Sequence, residues 1–132
     1  MEEAFVEKKI YYHDTDCGGV VYYANYLKYL EEARTEFFTG MGLDLKRLSE
    51  EGIIFVVAKV EISYKSPARY QDLIKVHTRL ERAKMSAMLF SQRVTKGGSL
   101  VAEANTTLVC VGADLKPIPI PDEIKKILSQ PA

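Results

Sequence analysis

The chain has 132 residues, 47% hydrophobic and 27% charged, with 18 basic and 18 acidic side chains that cancel to a formal net charge of zero. This is the composition of one globular domain spanning residues 1–132, not of a disordered polymer, and zero net charge gives no field to gather a nucleic acid or an anionic membrane. It does ease self-association.

The start, Met1-Glu2-Glu3-Ala4-Phe5, is acidic and lacks the apolar run of a secretory signal. No stretch is long and apolar enough for membrane insertion. Cys17 and Cys110 have no CxxC spacing and there are two histidines. The expectation is a cytoplasmic protein with reduced thiols and no zinc site.

Residues 4–12 are short, mixed and rich in β-formers, predicting a first strand. Residues 13–23 read as a loop around Gly18-Gly19. From Ala24, Tyr26, Leu27, Leu30, Ala33, Phe37 and Phe38 recur at helical spacing, with Asn25 as N-cap and Gly40 and Gly42 at the end. Asp44 to Glu51 can form a further short helix. Then Val56, Ala58, Val60, Ile62 and Tyr64 alternate with polar positions, and Pro67 breaks that strand. Ile74, Val76, Thr78 and Leu80 mark the next strand, residues 87–95 another, and 100–111 the last long one. Lys96-Gly97-Gly98-Ser99 is a hairpin turn, and Asp122 caps a short helix to Leu128. The expectation is α+β: one long helix across one face of a sheet whose later strands form a meander. The uncovered remainder suits pairing with a second copy.

The reactive groups crowd into one turn: His13, Asp14, Asp16 and Cys17. An aspartate is ionised at neutral pH and needs no activating partner. Asp16, followed by two glycines that let backbone approach a substrate, is the candidate nucleophile or general base; the competing reading is a turn aspartate bonded to its own backbone. Asp14 reads as structural, bonding loop N–H groups. Asp14-Thr15-Asp16 also resembles the DxD motif of haloacid dehalogenase-like phosphatases, but no βαβ units follow. His13 reads as solvated, His77 as surface and Cys17 as a small packed residue. Tyr11, Tyr12, Tyr22, Tyr23, Tyr26 and Tyr29 are core, interface or pocket wall. Backbone N–H groups from Tyr23 to Asn25 have no partner within the helix and can polarise a carbonyl.

The run Asp14-Thr15-Asp16-Cys17-Gly18-Gly19-Val20-Val21-Tyr22-Tyr23-Ala24-Asn25-Tyr26-Leu27, continuing into Tyr29-Leu30-Glu31-Glu32-Ala33-Arg34-Thr35-Glu36, resembles the signature of the 4-hydroxybenzoyl-CoA thioesterase family. It is most similar to the bacterial branch of Tol-Pal-associated acyl-CoA thioesterases, which Tyr64-Lys65-Ser66-Pro67-Ala68-Arg69-Tyr70-Gln71-Asp72 also resembles. The resemblance implies a hotdog fold, a curved antiparallel sheet wrapped around one long helix, with the active site at a homodimer interface and often a tetramer of two dimers. It implies acyl-CoA hydrolysis to acid and CoA with no metal or bound cofactor. The catalytic carboxylate carries onto Asp16. The N–H that holds the thioester oxygen carries onto Tyr23, where much of the Tol-Pal branch has histidine. Tyr12 matches a tyrosine near the family's site, and Arg82 and Lys84, then Arg69 and Lys65, are candidates for the CoA nucleotide. The rival readings are a hydroxyacyl dehydratase built on His13, and a non-catalytic module that binds acyl thioesters or an acyl carrier protein.

Overall fold

The computed structural model describes residues 4–129; the acidic start, Met1 to Glu3, lies outside them. Strand β1 (Ala4–Lys9) leads through a 3-10 turn (Tyr12–Asp14) and the glycine loop into α1 (Asn25–Gly40), followed by a short α2 (Leu45–Glu50). Strands β2 (Ile54–Tyr64), β3 (Leu73–Ala83), β4 (Ala87–Lys96) and β5 (Ser99–Val111) come next, and then α3 (Asp122–Leu128).

These strands form one antiparallel sheet in the order β1-β3-β4-β5-β2. The meander expected from sequence is therefore only partial. It holds for β3, β4 and β5, whereas β2 crosses to the far edge beside β5 and β1 pairs with β3. Alternation tells a strand which of its faces is buried and nothing about which neighbour it pairs with.

Helix α1 lies across one face and buries Tyr26, Tyr29, Leu30, Ala33, Arg34 and Phe38. Its first half rests on a cluster containing Ile10, Val21, Ile74, Val76 and Val94. Its second half sets Phe38 against Phe55 and Phe90, with ring centroids 5.8 and 5.6 Å apart. The helix stops where Gly42 takes φ +86°. There the Leu43 N–H reaches back to the Phe38 carbonyl at 2.9 Å, the closing bond of a left-handed helix terminus. Leu27, expected in the core, is 43% exposed. Arg34 is buried instead and donates to Gln92 Oε1 at 3.1 Å, while Gln92 Nε2 donates to the Leu30 carbonyl and to Thr78 Oγ1. A buried guanidinium requires such acceptors.

Two capping expectations change. Asn25 is the first helical residue rather than the cap; Ala24 occupies that position without a side-chain bond. Asp122 likewise opens α3 behind Pro121. Asp44, given no capping role from sequence, caps α2, accepting from the Lys46 and Arg47 N–H groups at 3.0 and 3.3 Å. The predicted apolar face of β2 is split by a bulge between Val57 and Lys59. Phe55 and Val57 precede it on the helix side, and Val60, Ile62 and Tyr64 follow. An extra residue shifts the alternation by one, so Val56 and Ala58 fall outside that face. No helix among the described residues is long and apolar enough to cross a membrane.

Candidate active site

The loop between the 3-10 turn and α1 is built around Asp14, which is 6% exposed. Its Oδ2 accepts the Tyr11 N–H at 2.9 Å, and its carbonyl accepts the Tyr22 N–H and Asn25 Nδ2, both at 3.0 Å. One residue thus ties the loop's entry to its exit, and Asn25, freed from capping, serves as half of that tie. Burial opposes the charged form of Asp14. The Tyr11 N–H, the neighbouring Tyr29 hydroxyl and the charge of Lys8 outweigh it and hold the carboxyl below the usual aspartate range. The Tyr29 hydroxyl is buried and closes no well-formed hydrogen bond among the described residues, so it acts on Asp14 as a nearby dipole. Burial, with Asp14 beside it, pushes the Tyr29 hydroxyl far up. His13 sits on the solvent side, its Nδ1 3.8 Å from Asp14 Oδ1.

Asp16 faces solvent. Its Oδ1 accepts the Gly18 N–H at 2.8 Å, and its backbone N–H and carbonyl pair with Val20 and Gly19. A Cβ at Gly18 would come within 3.2 Å of that Oδ1, and Gly19 holds φ +79°, a conformation that disfavours side chains. The turn-aspartate geometry weighed from sequence is therefore present. It also orients the carboxylate: Oδ1 is anchored, and Oδ2 has no partner among the described residues. The next turn is strapped down from outside. The Val21 N–H donates to the Ala68 carbonyl at 2.9 Å, and Val20 bridges to Arg69.

At the helix start, the N–H groups of Tyr23 and Ala24 have no acceptor among the described residues, whereas those of Tyr22 and Asn25 are used by Asp14 and Tyr22. A helix N-terminus with free N–H groups favours partial negative charge. Tyr23 is 62% and Tyr12 77% exposed, with Tyr12 edge-on to Tyr70 at 5.7 Å. Asp16, Tyr12 and Tyr23 are all exposed, on the loop or at its two ends. Arg82 and Lys84 do not join them. The register pairs Lys9, which leads into the loop, with Leu73 at the start of β3, while Arg82 lies at its far end. At about 3.3 Å per residue that is on the order of 30 Å away within one chain. Arg69 and Lys65 lie at the loop's end of the sheet. His77 is half-buried on the outer face, with Nε2 3.1 Å from Thr95 Oγ1. Cys17 is exposed rather than packed.

Sequence reasoning assigned no role to the Tyr64 side chain. Its hydroxyl donates to the Tyr23 carbonyl at 3.1 Å, and its ring packs edge-on against Tyr23. The available signal was its place as the last residue of the apolar alternation of β2, directly before the Lys65–Arg69 break.

Residues 11–128 match the thioesterase-like superfamily. The chain belongs to that superfamily. It is 37% identical over 119 residues to the acyl-CoA thioesterase YbgC of Haemophilus influenzae, covering 89% of this chain and 88% of that protein. A crystal structure of a hypothetical protein from Thermus thermophilus superposes with a TM-score of 0.92 at 35% identity, over 96% of this chain and 98% of the other. A 4-hydroxybenzoyl-CoA thioesterase variant, crystallised with its substrate, superposes with a TM-score of 0.88 at 21% identity, over 98% of this chain and all of the other (100%). That last likeness is one of fold. The antiparallel sheet around α1 is the hotdog arrangement that the sequence resemblance implied.

Proposed function

We propose that this superfamily member hydrolyses acyl-CoA thioesters, with Asp16 as the reacting carboxylate. The observation that carries the proposal is an oriented, solvent-facing Asp16 on the loop that leads into α1, together with the N–H groups of Tyr23 and Ala24 at the start of that helix, which have no acceptor among the described residues. The thioester oxygen sits on those N–H groups, which stabilise the oxyanion as the carbonyl carbon becomes tetrahedral. In the covalent route Asp16 Oδ2 attacks that carbon, the C–S bond breaks, CoA leaves as the thiolate, and water cleaves the anhydride to release the acid. In the general-base route Asp16 takes a proton from the attacking water and passes it to the departing sulfur. Both return Asp16 to its starting form.

The exposed tyrosines Tyr12 and Tyr23 wall the acyl group. The protein works as a homodimer, or a tetramer of two dimers, joined through β2. That strand is a free edge of 11 residues whose Val57, Val60 and Tyr64 are 52%, 37% and 45% exposed. The opposite edge, β1, is short and carries Glu7, Lys8 and Lys9, a sequence that discourages pairing. Antiparallel β2 pairing about a two-fold axis brings the Arg82–Lys84 end of one copy beside the Asp16 end of the other. In this way the two basic side chains, remote within one chain, reach the CoA nucleotide. A cytoplasmic location fits the two free cysteines.

The test is CoA-thiol release from a panel of short-chain and benzoyl-type CoA esters by the wild type and Asp16→Asn, with acyl carrier protein thioesters as a second arm. The reading expects turnover by the wild type and a loss of at least about a hundredfold in kcat for the variant. Full activity in Asp16→Asn removes the assignment; binding without turnover by the wild type favours a binding module.

A further inference from the structure

One segment, running from the end of β2 to Arg69, makes three successive contacts with the catalytic loop. Arg69 bridges Val20, the Ala68 carbonyl takes the Val21 N–H at 2.9 Å, and the Tyr64 hydroxyl donates to the Tyr23 carbonyl at 3.1 Å. The first two hold the turn. The third bears on a different group. The Tyr23 carbonyl belongs to the peptide whose other end is the Ala24 N–H, one of the two donors without an acceptor among the described residues. Within the helix that carbonyl has a weak partner, the Tyr26 N–H at 3.4 Å. A donor on the oxygen of a peptide orients its plane and polarises its N–H, making that N–H a stronger donor to the next acceptor.

We propose that Tyr64 is a positioning residue for hydrolysis, fixing and polarising the Tyr23–Ala24 peptide so that the Ala24 N–H meets the thioester oxygen. This rests on the reading of the helix start as the cradle for that oxygen. The strand end is rigid enough for the task. Lys65 and Ser66 both donate their N–H groups to the Val101 carbonyl at 2.8 and 3.2 Å, and Ser66 Oγ donates to the Leu100 carbonyl at 2.8 Å. The Tyr64 ring is wedged against Tyr23 and Tyr26, with centroids 6.2 and 5.6 Å away, which holds the hydroxyl in place. The bond acts on the transition state, where the oxygen carries most charge, more than on the ground state, where it is a neutral carbonyl.

The experiment compares wild type, Tyr64→Phe and Asp16→Asn as full chains, using CoA-thiol release from whichever CoA ester the wild type turns over best. Thermal melting and size-exclusion chromatography accompany each variant. Tyr64→Phe keeps the ring and deletes the hydroxyl. The expected result is a fall of about tenfold in kcat with KM within about twofold, at unchanged melting temperature and oligomeric state. Unchanged kcat in Tyr64→Phe, with Asp16→Asn inactive, overturns the role of Tyr64 and leaves the site assignment standing. Full activity in both variants removes the site assignment itself. A rise in KM alone, or a loss of kcat matched by a loss of thermal stability, also overturns the proposal, because it makes Tyr64 a binding contact or a structural one.

Discussion

Replacing Gln92 by leucine is the sharpest test of what holds α1 on the sheet. Gln92 is 1% exposed and is the acceptor for Arg34, itself 7% exposed. It also donates to the Leu30 carbonyl at 2.9 Å and to Thr78 Oγ1 at 3.0 Å. Leucine fills similar volume and accepts nothing. The Leu30 carbonyl retains its helical partner and the Thr78 hydroxyl can rotate, so the main cost falls on the guanidinium. Leaving a buried charged donor without its acceptor costs about 3 kcal/mol, and the added apolar burial offsets about 1 kcal/mol of it. The expected net loss is about 2 kcal/mol, or roughly 6 °C in melting temperature for a chain of this size. The double variant Arg34→Met, Gln92→Leu replaces both partners and should return to within about 1 kcal/mol of the wild type. Urea and thermal melts of the three proteins decide it. A single variant within about 1 kcal/mol of wild type, or a double variant less stable than the single, refutes the argument that the buried charge carries the cost.

Asp14→Asn should lose stability at neutral pH by about 1–3 kcal/mol, because it removes the charge from the bond that Oδ2 accepts from the Tyr11 N–H. The folded-state pKa of Asp14 lies below its ordinary value of 3.8, so its contribution is complete above that value and fades as pH falls through the folded one. Urea midpoints of wild type and variant should therefore keep their gap from about pH 7 to about pH 4 and converge only below that; a gap unchanged down to about pH 2 rejects the linkage. Val60→Lys, on the exposed apolar edge of β2, should shift the protein toward monomer in sedimentation and lower CoA-ester turnover with it, while full association at micromolar concentration speaks against a β2 interface.

Local features were legible where one residue suffices to force a conformation. Gly97 and Gly98 take φ +56° and +84° in the hairpin, and a short helix forms between Asp44 and Glu51 where one was expected. The loop's content was readable for the same reason, since few chains place two carboxylates and two glycines ahead of a helix. What was hidden depends on partners distant in sequence. Nothing in the apolar run of β2 says that it pairs with β5, or that one extra residue near Ala58 reverses its alternation. Arg34 lies on the same helical stripe as Leu30 and Phe38, yet a single arginine there reads as the stripe's edge until Gln92 and Thr78 arrive from two other strands. Asn25 looked like a cap because capping is the local use of asparagine; the Asp14 carbonyl, on the other side of the loop, recruits it instead.

The position of β2 sets an order on how the molecule comes into being. Ile54 pairs with Val111 and Ala4 with Thr78, so both edges of the sheet close over long stretches of chain, and only the β3–β4–β5 hairpins form between near neighbours. Those hairpins are the natural nucleus, because closing short loops costs less entropy than closing long ones. During synthesis the loop that carries Asp16, with α1 and β2, leaves the ribosome before β3, β4 and β5. It has no sheet to lie on until the last long strand has followed. For that interval α1 and β2 are an apolar helix and an unpaired strand in water, the state in which a chain is most exposed to aggregation. The loop that carries Asp16 is thus made before the strands that secure it.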